Sequence, residues 1–172
     1  MSDAPEGKPD FAPLYDRHFD KVYNYIRYRV GDAAAADDVA SRVFEKALAR
    51  LPTFDPRRGA VEAWLYAIAR TAVQDHFRSR RWFSWLSLDV FAERPGRDAK
   101  HEDVLAEDES RRELLAALEI LGERERELLA LKYGAGMTNR AIAEATGLGE
   151  SSVGVTLHRA LKKVKAMLEE KS

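Results

Sequence analysis

The sequence predicts an all-α protein made of two small helical domains joined by a flexible linker, with a helix-turn-helix in the C-terminal domain. Apolar residues recur at spacings of three and four in several segments, which is the period of an amphipathic helix. Residues 138–165 read as two helices joined by a tight turn. An aromatic and then acidic stretch, residues 82–110, separates the two helical blocks. We find no convincing strand pattern.

The N-terminal block contains three predicted helices. Residues 1–10 are polar and proline-containing, and we expect a disordered tail there. Residues 11–30 carry a strong helical apolar pattern that Gly31 ends. A second helix runs over residues 33–51 and stops at Pro52. After a loop rich in helix breakers, a third helix covers residues 61–81, so the first domain spans residues 11–81.

The C-terminal block, residues 111–172, contains two predicted helices followed by the helix-turn-helix. The first two cover residues 111–121 and 123–132. In the helix-turn-helix, Gly147 provides the turn, and Ser151 and Ser152 offer hydroxyls to cap the second helix. The spacing of Ala143, Gly147 and Val153 is typical of DNA-binding helix-turn-helix motifs, although an ordinary helical hairpin remains the alternative.

Charge is unevenly distributed along the chain. The formal net charge is −1, but residues 11–81 carry +4, residues 82–110 carry −5 and residues 111–172 carry +2. Two basic blocks suggest two modules that face a polyanion. The absence of cysteine excludes disulfides, thiol catalysis and cysteine-ligated zinc. No membrane-spanning run or signal pattern is present, so we expect a cytoplasmic protein without membrane insertion.

The third helix and the loop before it carry the side chains that suit opened DNA. The loop contributes Phe54, Arg57 and Arg58, and the helix contributes Trp64 and a series of polar and basic residues. Aromatic rings stack on unpaired bases and guanidinium groups neutralise phosphates. The alternative is that Trp64 belongs to the core and the arginines form a solvated face; composition alone does not separate the two.

The sequence gives little support for an enzymatic function. The four histidines are dispersed, so no metal site is predicted, and no glycine-rich loop follows a strand. Carboxylates such as Glu123 and Glu127 lie near Arg126 at the spacing of salt bridges along a helix. We therefore expect no catalytic residues and no cofactor.

Several motifs, in order, resemble bacterial RNA polymerase sigma factors of the extracytoplasmic-function class. Residues 11–19 (FAPLYDRHF) resemble that family's opening helix. Residues 37–44 (DDVASRVF) resemble its polymerase-binding segment, and residues 63–70 (AWLYAIAR) with 74–78 (QDHFR) resemble its minus-ten-reading helix. Residues 111–169 resemble its second domain. The resemblance implies core RNA polymerase and promoter DNA as partners, with an anti-sigma factor as a possible third.

The resemblance also implies roles for individual residues. The polymerase-binding face would include Asp38, Arg42, Phe44 and Lys46. The minus-ten element would be read or held by Phe54, Arg57, Arg58, Trp64, Thr71, Gln74, Arg78 and Arg81. The second helix of the helix-turn-helix would enter the major groove at the minus-thirty-five element, using Ser151, Ser152, Thr156, Arg159, Lys162 and Lys163.

The chain departs from the family pattern at several of these positions. Ser41-Arg42 stands where a Gln-Glu pair is usual, and Thr71 replaces the usual Asn. Gly154 and Val155 occupy recognition positions that are often polar or basic. Because neither can donate a hydrogen bond from its side chain, recognition there would depend on thymine methyl groups or on DNA shape.

Two other functions remain open from sequence. One is a stand-alone helix-turn-helix regulator that binds duplex DNA without polymerase, and the other is a sigma-like decoy that sequesters an anti-sigma protein. The aromatic part of the linker, residues 82–91, also has two interpretations: it caps the core of the first domain, or it closes the domains onto each other or receives a partner.

Overall fold

The structure, a computed structural model, describes residues 9–86 and 109–170, and these parts of the chain are almost entirely helical without a strand. The all-α prediction is confirmed. Seven α-helices are present in these ranges: α1 Phe11–Val30, α2 Ala33–Arg50, α3 Val61–Leu86, α4 Glu109–Leu118, α5 Glu123–Leu129, α6 Asn139–Thr146 and α7 Glu150–Glu169. The expected tail and most of the expected linker lie outside the described residues.

Helices α1, α2 and α3 pack on one another to form the N-terminal unit. Gly31 ends α1 at a φ of 81°, where glycine is favoured, and its N–H donates to the carbonyl oxygen of Arg27. Asp32 then caps α2, because its carboxylate accepts a hydrogen bond from the Ala35 N–H at 2.8 Å. The bounds predicted for the first helix are confirmed.

Helix α3 continues to Leu86, five residues beyond the end expected from the sequence. No glycine or proline occurs between Arg81 and Leu86, so nothing in the local chain interrupts the helical hydrogen bonds. The aromatic character of this segment therefore does not mark the start of a loop. The rest of the aromatic segment, residues 87–91, lies outside the described residues.

The C-terminal unit consists of α4, α5, α6 and α7. Helix α5 ends at Leu129, earlier than expected, and the chain widens into a π-helical turn over Ala130–Gly134. The Ala135 N–H donates to the carbonyl oxygen of Ala130 at 2.9 Å, which closes this wider turn. The helix α4 begins at Glu109 and ends at Leu118, two to three residues before the expected bounds.

The two units pack against each other and share a continuous hydrophobic core. Helix α1 contacts both α5 and the π-helical turn of the C-terminal unit. The Tyr66 hydroxyl of α3 donates to the carbonyl oxygen of Ala135 at 3.4 Å. Arg70 of α3 also donates a hydrogen bond to the carbonyl oxygen of Ala145 in α6.

Candidate nucleic-acid interface

The helix-turn-helix has the two helices and the glycine turn that the sequence predicts. The Thr138 hydroxyl caps α6 by accepting from the Ala141 N–H at 3.1 Å. Gly147 ends α6 in the left-handed region at a φ of 72°, which suits a residue without a side chain. Fully buried Ile142 of α6 and Val153 of α7 form the core between the helices. The prediction that Ser151 and Ser152 cap α7 is wrong: Gly149 is the capping residue, and both serines lie in the first turn of the helix.

One face of α7 is open to solvent and carries the predicted reading residues. Of the six, Thr156 is partly buried. The other five are exposed: Ser151, Ser152, Arg159, Lys162 and Lys163. Val155, with half of its side chain exposed, lies between the serines and Arg159 on this helix. The combination of hydroxyls, one apolar side chain and cations fits a helix that enters a DNA groove.

Among the predicted reading residues of α7, Lys163 forms an ion pair with a carboxylate of another helix. Its Nζ lies 2.8 Å and 2.9 Å from the two carboxylate oxygens of Glu125 on α5. The hydrogen bond from Lys163 lowers the pKa of Glu125 from its usual value, and the Gly122 N–H also donates to the same carboxylate. Phosphate binding by Lys163 would therefore compete with an existing ion pair.

The loop before α3 presents its cations outward and its aromatic ring inward. Phe54 is only 7% exposed, and its ring centroid lies 5.2 Å from that of Trp64. Arg57 is 90% exposed although its Nε lies 3.2 Å from the Asp55 carboxylate. Arg58 is exposed as well. In this structure Phe54 and Trp64 form a packed pair beneath the loop, so the loop's accessible groups are mainly its guanidinium groups.

Four predicted residues of α3 project along one exposed strip: Thr71, Gln74, Arg78 and Arg81. Their spacings of three and four place them on the same side of a helix. The Thr71 hydroxyl donates to the carbonyl oxygen of Ala67 at 2.9 Å, which leaves it able to accept a hydrogen bond. Arg78 lies 3.4 Å from the Asp75 carboxylate, yet 79% of its side chain remains exposed. The strip therefore offers both polar and cationic groups to a ligand.

The four residues predicted to bind polymerase do not form one surface. Asp38 and Arg42 are exposed on α2. Phe44 is 5% exposed and packs its ring against Tyr15 at 4.7 Å, so it belongs to the core. Lys46 is partly buried and lies 3.7 Å from Asp75 of α3. The structure brings Asp38 and Arg42 together on one helix and uses Phe44 to hold that helix against α1.

Sequence reasoning missed a cluster of charged residues where the two units meet. We expected Glu127 to pair along its own helix, but its carboxylate lies 2.6 Å from Arg29 of α1 and 2.9 Å from Arg70 of α3. The Tyr25 hydroxyl donates to the same carboxylate at 3.1 Å. Burial, followed by the nearby negative charge, raises the pKa of Tyr25 well above its usual range. The signal available in the sequence was Arg29, a cation placed three residues after Ile26 on the apolar side of α1.

Among the described residues, no group of three or more histidine, aspartate or glutamate side chains could hold a metal ion. In the same ranges, every helix is too short or too polar to cross a bilayer. Exposed cationic and polar side chains lie on α3, on α7 and in the loop before α3.

Comparisons with known proteins agree with this arrangement. The chain matches the family Sigma-70 region 2 over residues 14–83 and the family Sigma-70, region 4 over residues 111–164. These two matches cover more than two thirds of the chain, and each falls on one of the two helical units. The order of the matches is also the order of the two candidate DNA-facing surfaces.

Curated relatives are similar along most of the chain. The ECF RNA polymerase sigma factor BldN of Streptomyces coelicolor is 33% identical over 168 residues, which are 97% of this chain and 64% of BldN. The chain thus spans slightly less than two thirds of that relative. SigD of Mycobacterium tuberculosis is 33% identical over 84% of this chain and 70% of SigD. SigX of Bacillus subtilis is 28% identical over 92% of this chain and 84% of SigX.

Solved structures share the fold. The sigma factor RpoE from Bartonella quintana, solved in complex with the anti-sigma factor NepR, has a TM-score of 0.73 and 20% identity, covering 93% of this chain and 97% of that one. CnrH, solved in complex with the cytosolic domain of CnrY, has a TM-score of 0.66 and 25% identity, covering 94% and 89%.

Proposed function

Because the chain belongs to the ECF RNA polymerase sigma factors of the sigma-70 family, we propose that it binds core RNA polymerase and directs it to promoter DNA. The observation that carries this proposal is the coincidence of the two family matches with two exposed, cation-bearing helical surfaces. Catalysis would belong to the polymerase, and the chain would act in the cytoplasm, where transcription takes place.

We assign the minus-thirty-five element to α7. Ser151, Ser152, Thr156 and Arg159 would face base edges or phosphates, and Lys162 and Lys163 would lie near the backbone and neutralise it. The N-terminal turn of α7 supports this role, since the free backbone N–H groups at a helix N-terminus attract phosphate.

The minus-ten element would be held by α3 and the loop before it. Arg57 and Arg58 would contact backbone phosphates of the opened strand, and the partly exposed ring of Trp64, packed on buried Phe54, would meet an unpaired base. Thr71, Gln74, Arg78 and Arg81 would extend that contact along α3. Binding free energy from these contacts would then be used to open the duplex.

Core polymerase would contact the exposed side of α2 through Asp38 and Arg42, with Phe44 and Lys46 fixing the position of the helix. An anti-sigma factor is a further candidate partner, because RpoE and CnrH were solved as complexes, RpoE with its anti-sigma factor and CnrH with part of CnrY. A tight anti-sigma partner would compete with polymerase for the same chain.

The decisive experiment is gel filtration of the chain with core RNA polymerase, followed by transcription from DNA upstream of its own gene. We expect co-elution and initiation at defined start sites. Arg159→Gln should reduce initiation about tenfold, by analogy with the ~1–3 kcal/mol lost with a good contact. Lys165→Gln is the matched control, since Lys165 is an exposed cation of α7 that pairs with Glu169.

Failure to co-elute with polymerase would overturn the proposal. If the chain then bound duplex DNA in the absence of polymerase, a stand-alone regulator would be favoured. If it bound neither polymerase nor duplex DNA, a sigma-like decoy would be favoured.

A further inference from the structure

We propose that Trp82 is a second aromatic nucleic-acid contact of α3, a ring on which an unpaired base of the opened DNA strand stacks. The sequence places Trp82 at the start of the expected linker, but α3 continues to Leu86 and so carries this residue on the helix. The proposal adds a contact residue to the proposed function and rests on it for the identity of the strand.

The first observation is the exposure of the Trp82 side chain. At 67%, it is the most exposed large hydrophobic side chain in the part of the chain that the structure describes. Trp82 therefore does not cap the core of the N-terminal unit, which is one of the roles that the sequence left open for this segment. Exposure alone does not identify a ligand, since isolated apolar residues are common on protein surfaces. The position of the ring and the charge around it decide the question.

The second observation is the position of the ring on α3. The eighteen residues from Trp64 to Trp82 make five turns at 3.6 residues per turn, so both indoles lie on the same side of the helix. Thr71 and Arg78, two of the predicted reading residues, lie between them on that side and are exposed. Trp82 thus continues the surface that we assign to the minus-ten element.

The third observation is the charge beside the ring. Arg78, Arg80 and Arg81 are exposed, and residues 76–86 contain no carboxylate. Asp75, the acidic residue that precedes this segment, lies 3.4 Å from Arg78 and 3.7 Å from Lys46 and is thereby neutralised. An exposed aromatic ring beside guanidinium groups suits a single strand, because bases stack on the ring and the cations neutralise phosphates.

A protein partner suits this surface less well than a DNA strand. Contiguous apolar patches mark protein interaction sites, whereas Arg78, Ser79 and Arg81, the exposed residues that precede the ring on α3, are polar or charged. Asp32 and Asp38 of α2 act on His76, which lies about 120° around the helix from Trp82. The positive charge beside the ring therefore favours a polyanion as the occupant.

The distance between the two indoles gives the contact a measurable signature. Trp64 and Trp82 lie about 27 Å apart along the helix axis, at about 1.5 Å per residue. A stacked strand advances about 3.4 Å per nucleotide, so the two rings would meet bases up to about eight nucleotides apart. Removal of single bases should therefore reveal one sensitive position that depends on Trp82 and lies several nucleotides from the one at Trp64.

The test uses holoenzyme assembled from the full chain and core polymerase, with a promoter fragment whose minus-ten segment is held open by mismatches. Trp82→Ala removes the ring, Trp82→Tyr keeps a ring that can stack, and Trp82→Leu keeps apolar surface without a ring. Tyr133→Ala, at an exposed aromatic residue of the π-helical turn, is the matched control. The measurements are the Kd of each holoenzyme for the fragment and the Kd of each chain for polymerase without DNA. Circular dichroism checks that each variant remains helical.

Trp82→Ala and Trp82→Leu should weaken binding of the opened fragment about tenfold, whereas Trp82→Tyr should lose less than about threefold. The Kd for polymerase without DNA should stay unchanged in every variant, and Tyr133→Ala should match the wild type in both measurements. Abasic nucleotides are then placed at each opened position in turn. At one position the abasic site should weaken wild-type binding about tenfold and leave Trp82→Ala unaffected, because either change removes the same stacked pair.

Four results would overturn the stacking contact. If Trp82→Ala weakens polymerase binding without DNA, the occupant is a protein. If it weakens binding of the fully paired fragment as much as that of the opened one, the contact is with duplex DNA. If Trp82→Leu binds as well as Trp82→Tyr, apolar area rather than stacking is responsible. If no abasic position depends on Trp82, no base stacks there.

Failure of the proposed function is recognised separately. If the wild type does not bind core polymerase, the proposed function fails whatever the variants do. The full chain alone is then titrated at low salt with a fluorescein-labelled single-stranded oligonucleotide of mixed sequence. A loss of about tenfold in Trp82→Ala, with no loss in Tyr133→Ala, would still support the ring as a stacking surface. Equal affinities of Trp82→Ala and the wild type would overturn it.

Discussion

Val155 stands out among the residues of α7 because half of an apolar side chain faces solvent between polar neighbours. It is not part of the hydrophobic core, and Gly154 beside it has no side chain. A valine methyl is well suited to the C5 methyl group of thymine in the major groove. At the scale of one residue, Val155 is the best candidate for sequence discrimination by apolar contact.

We predict that replacing the contacted thymine by deoxyuridine weakens binding by holoenzyme about fourfold, since a buried methyl group contributes about 0.8 kcal/mol. Val155→Ala should weaken binding to the thymine site by a similar factor and become insensitive to the deoxyuridine change. The measurement is competition binding at fixed salt. Leu161→Ala, which alters another exposed apolar residue of α7, is the control. Equal sensitivity of wild type and Val155→Ala to deoxyuridine would exclude the contact.

The lowered pKa values of two histidines predict how the free energy of unfolding depends on pH. Burial lowers the pKa of His18, with Glu62 opposing and Arg17 and Lys21 adding to the effect. Burial also lowers the pKa of His76, with contributions in the same sense from Arg80 and Arg42 and opposing ones from Asp32 and Asp38. With the folded pKa below that of the unfolded chain, the unfolded state binds protons first. Stability is therefore full above about pH 6.5 and falls as the pH drops below it.

The measurement is the urea midpoint of unfolding, determined at several pH values between 7.5 and 5.5. We expect it to fall towards pH 5.5 in the wild type and to fall less in the double variant His18→Gln/His76→Gln. His158→Gln, at an exposed position of α7, should keep the wild-type dependence. If the urea midpoint of the double variant depends on pH as strongly as that of the wild type, these histidines are not the cause of the dependence.

At the scale of elements, Gly147 makes the turn of the helix-turn-helix and has a φ of 72°. Nothing lies within 4 Å of a Cβ built there, so Gly147→Ala would strain only the backbone. We predict a loss of about 1 kcal/mol in the free energy of unfolding. The matched change Gly154→Ala, inside α7, should instead stabilise by up to about 1 kcal/mol. Urea unfolding measures both, and shifts of the same sign would contradict the argument.

Prediction from sequence succeeded where local signals and apolar period agree. Helix α1 has a regular apolar face and a glycine at its end, and Gly147 marks the corner of the helix-turn-helix. The end of α5 was not predictable, because its π-helical turn packs on Tyr25, a residue far away in sequence. The extent of α3 was missed because its aromatic residues suggested a break that no glycine or proline enforces.

For the candidate site, the sequence was a better guide to which residue types are present than to which of their side chains are exposed. Arg159 and Gln74 are exposed as a reading role requires, whereas Phe54 and Phe44 are buried against other rings. An aromatic residue in a short motif serves a surface or a core equally well, and only packing decides between them. The Glu127 cluster escaped notice because charges at helical spacing usually indicate a solvated face.

At the scale of the whole molecule, the contact between the two units leaves the predicted reading residues accessible. Those of α3 and α7, such as Thr71, Gln74, Ser151 and Arg159, are exposed although the units pack against each other, except that Thr156 is partly buried. Either unit could meet DNA alone, but the two are held beside each other by Arg29, Arg70 and Glu127.

The same contact should make the two units unfold together. Separation would expose the apolar core that the units share and leave Arg29 without its partner, so each unit is expected to be less stable alone than in contact with the other. We predict one calorimetric transition for the wild type, with equal calorimetric and van't Hoff enthalpies. A Cβ atom on Gly134 would lie 2.9 Å from backbone atoms of Tyr25 in α1. Gly134→Ala should therefore weaken the contact and split this transition, or make the van't Hoff enthalpy smaller than the calorimetric enthalpy. Gly154→Ala should keep a single transition. Two separate transitions in the wild type would mean that the contact between the units is too weak to couple their unfolding.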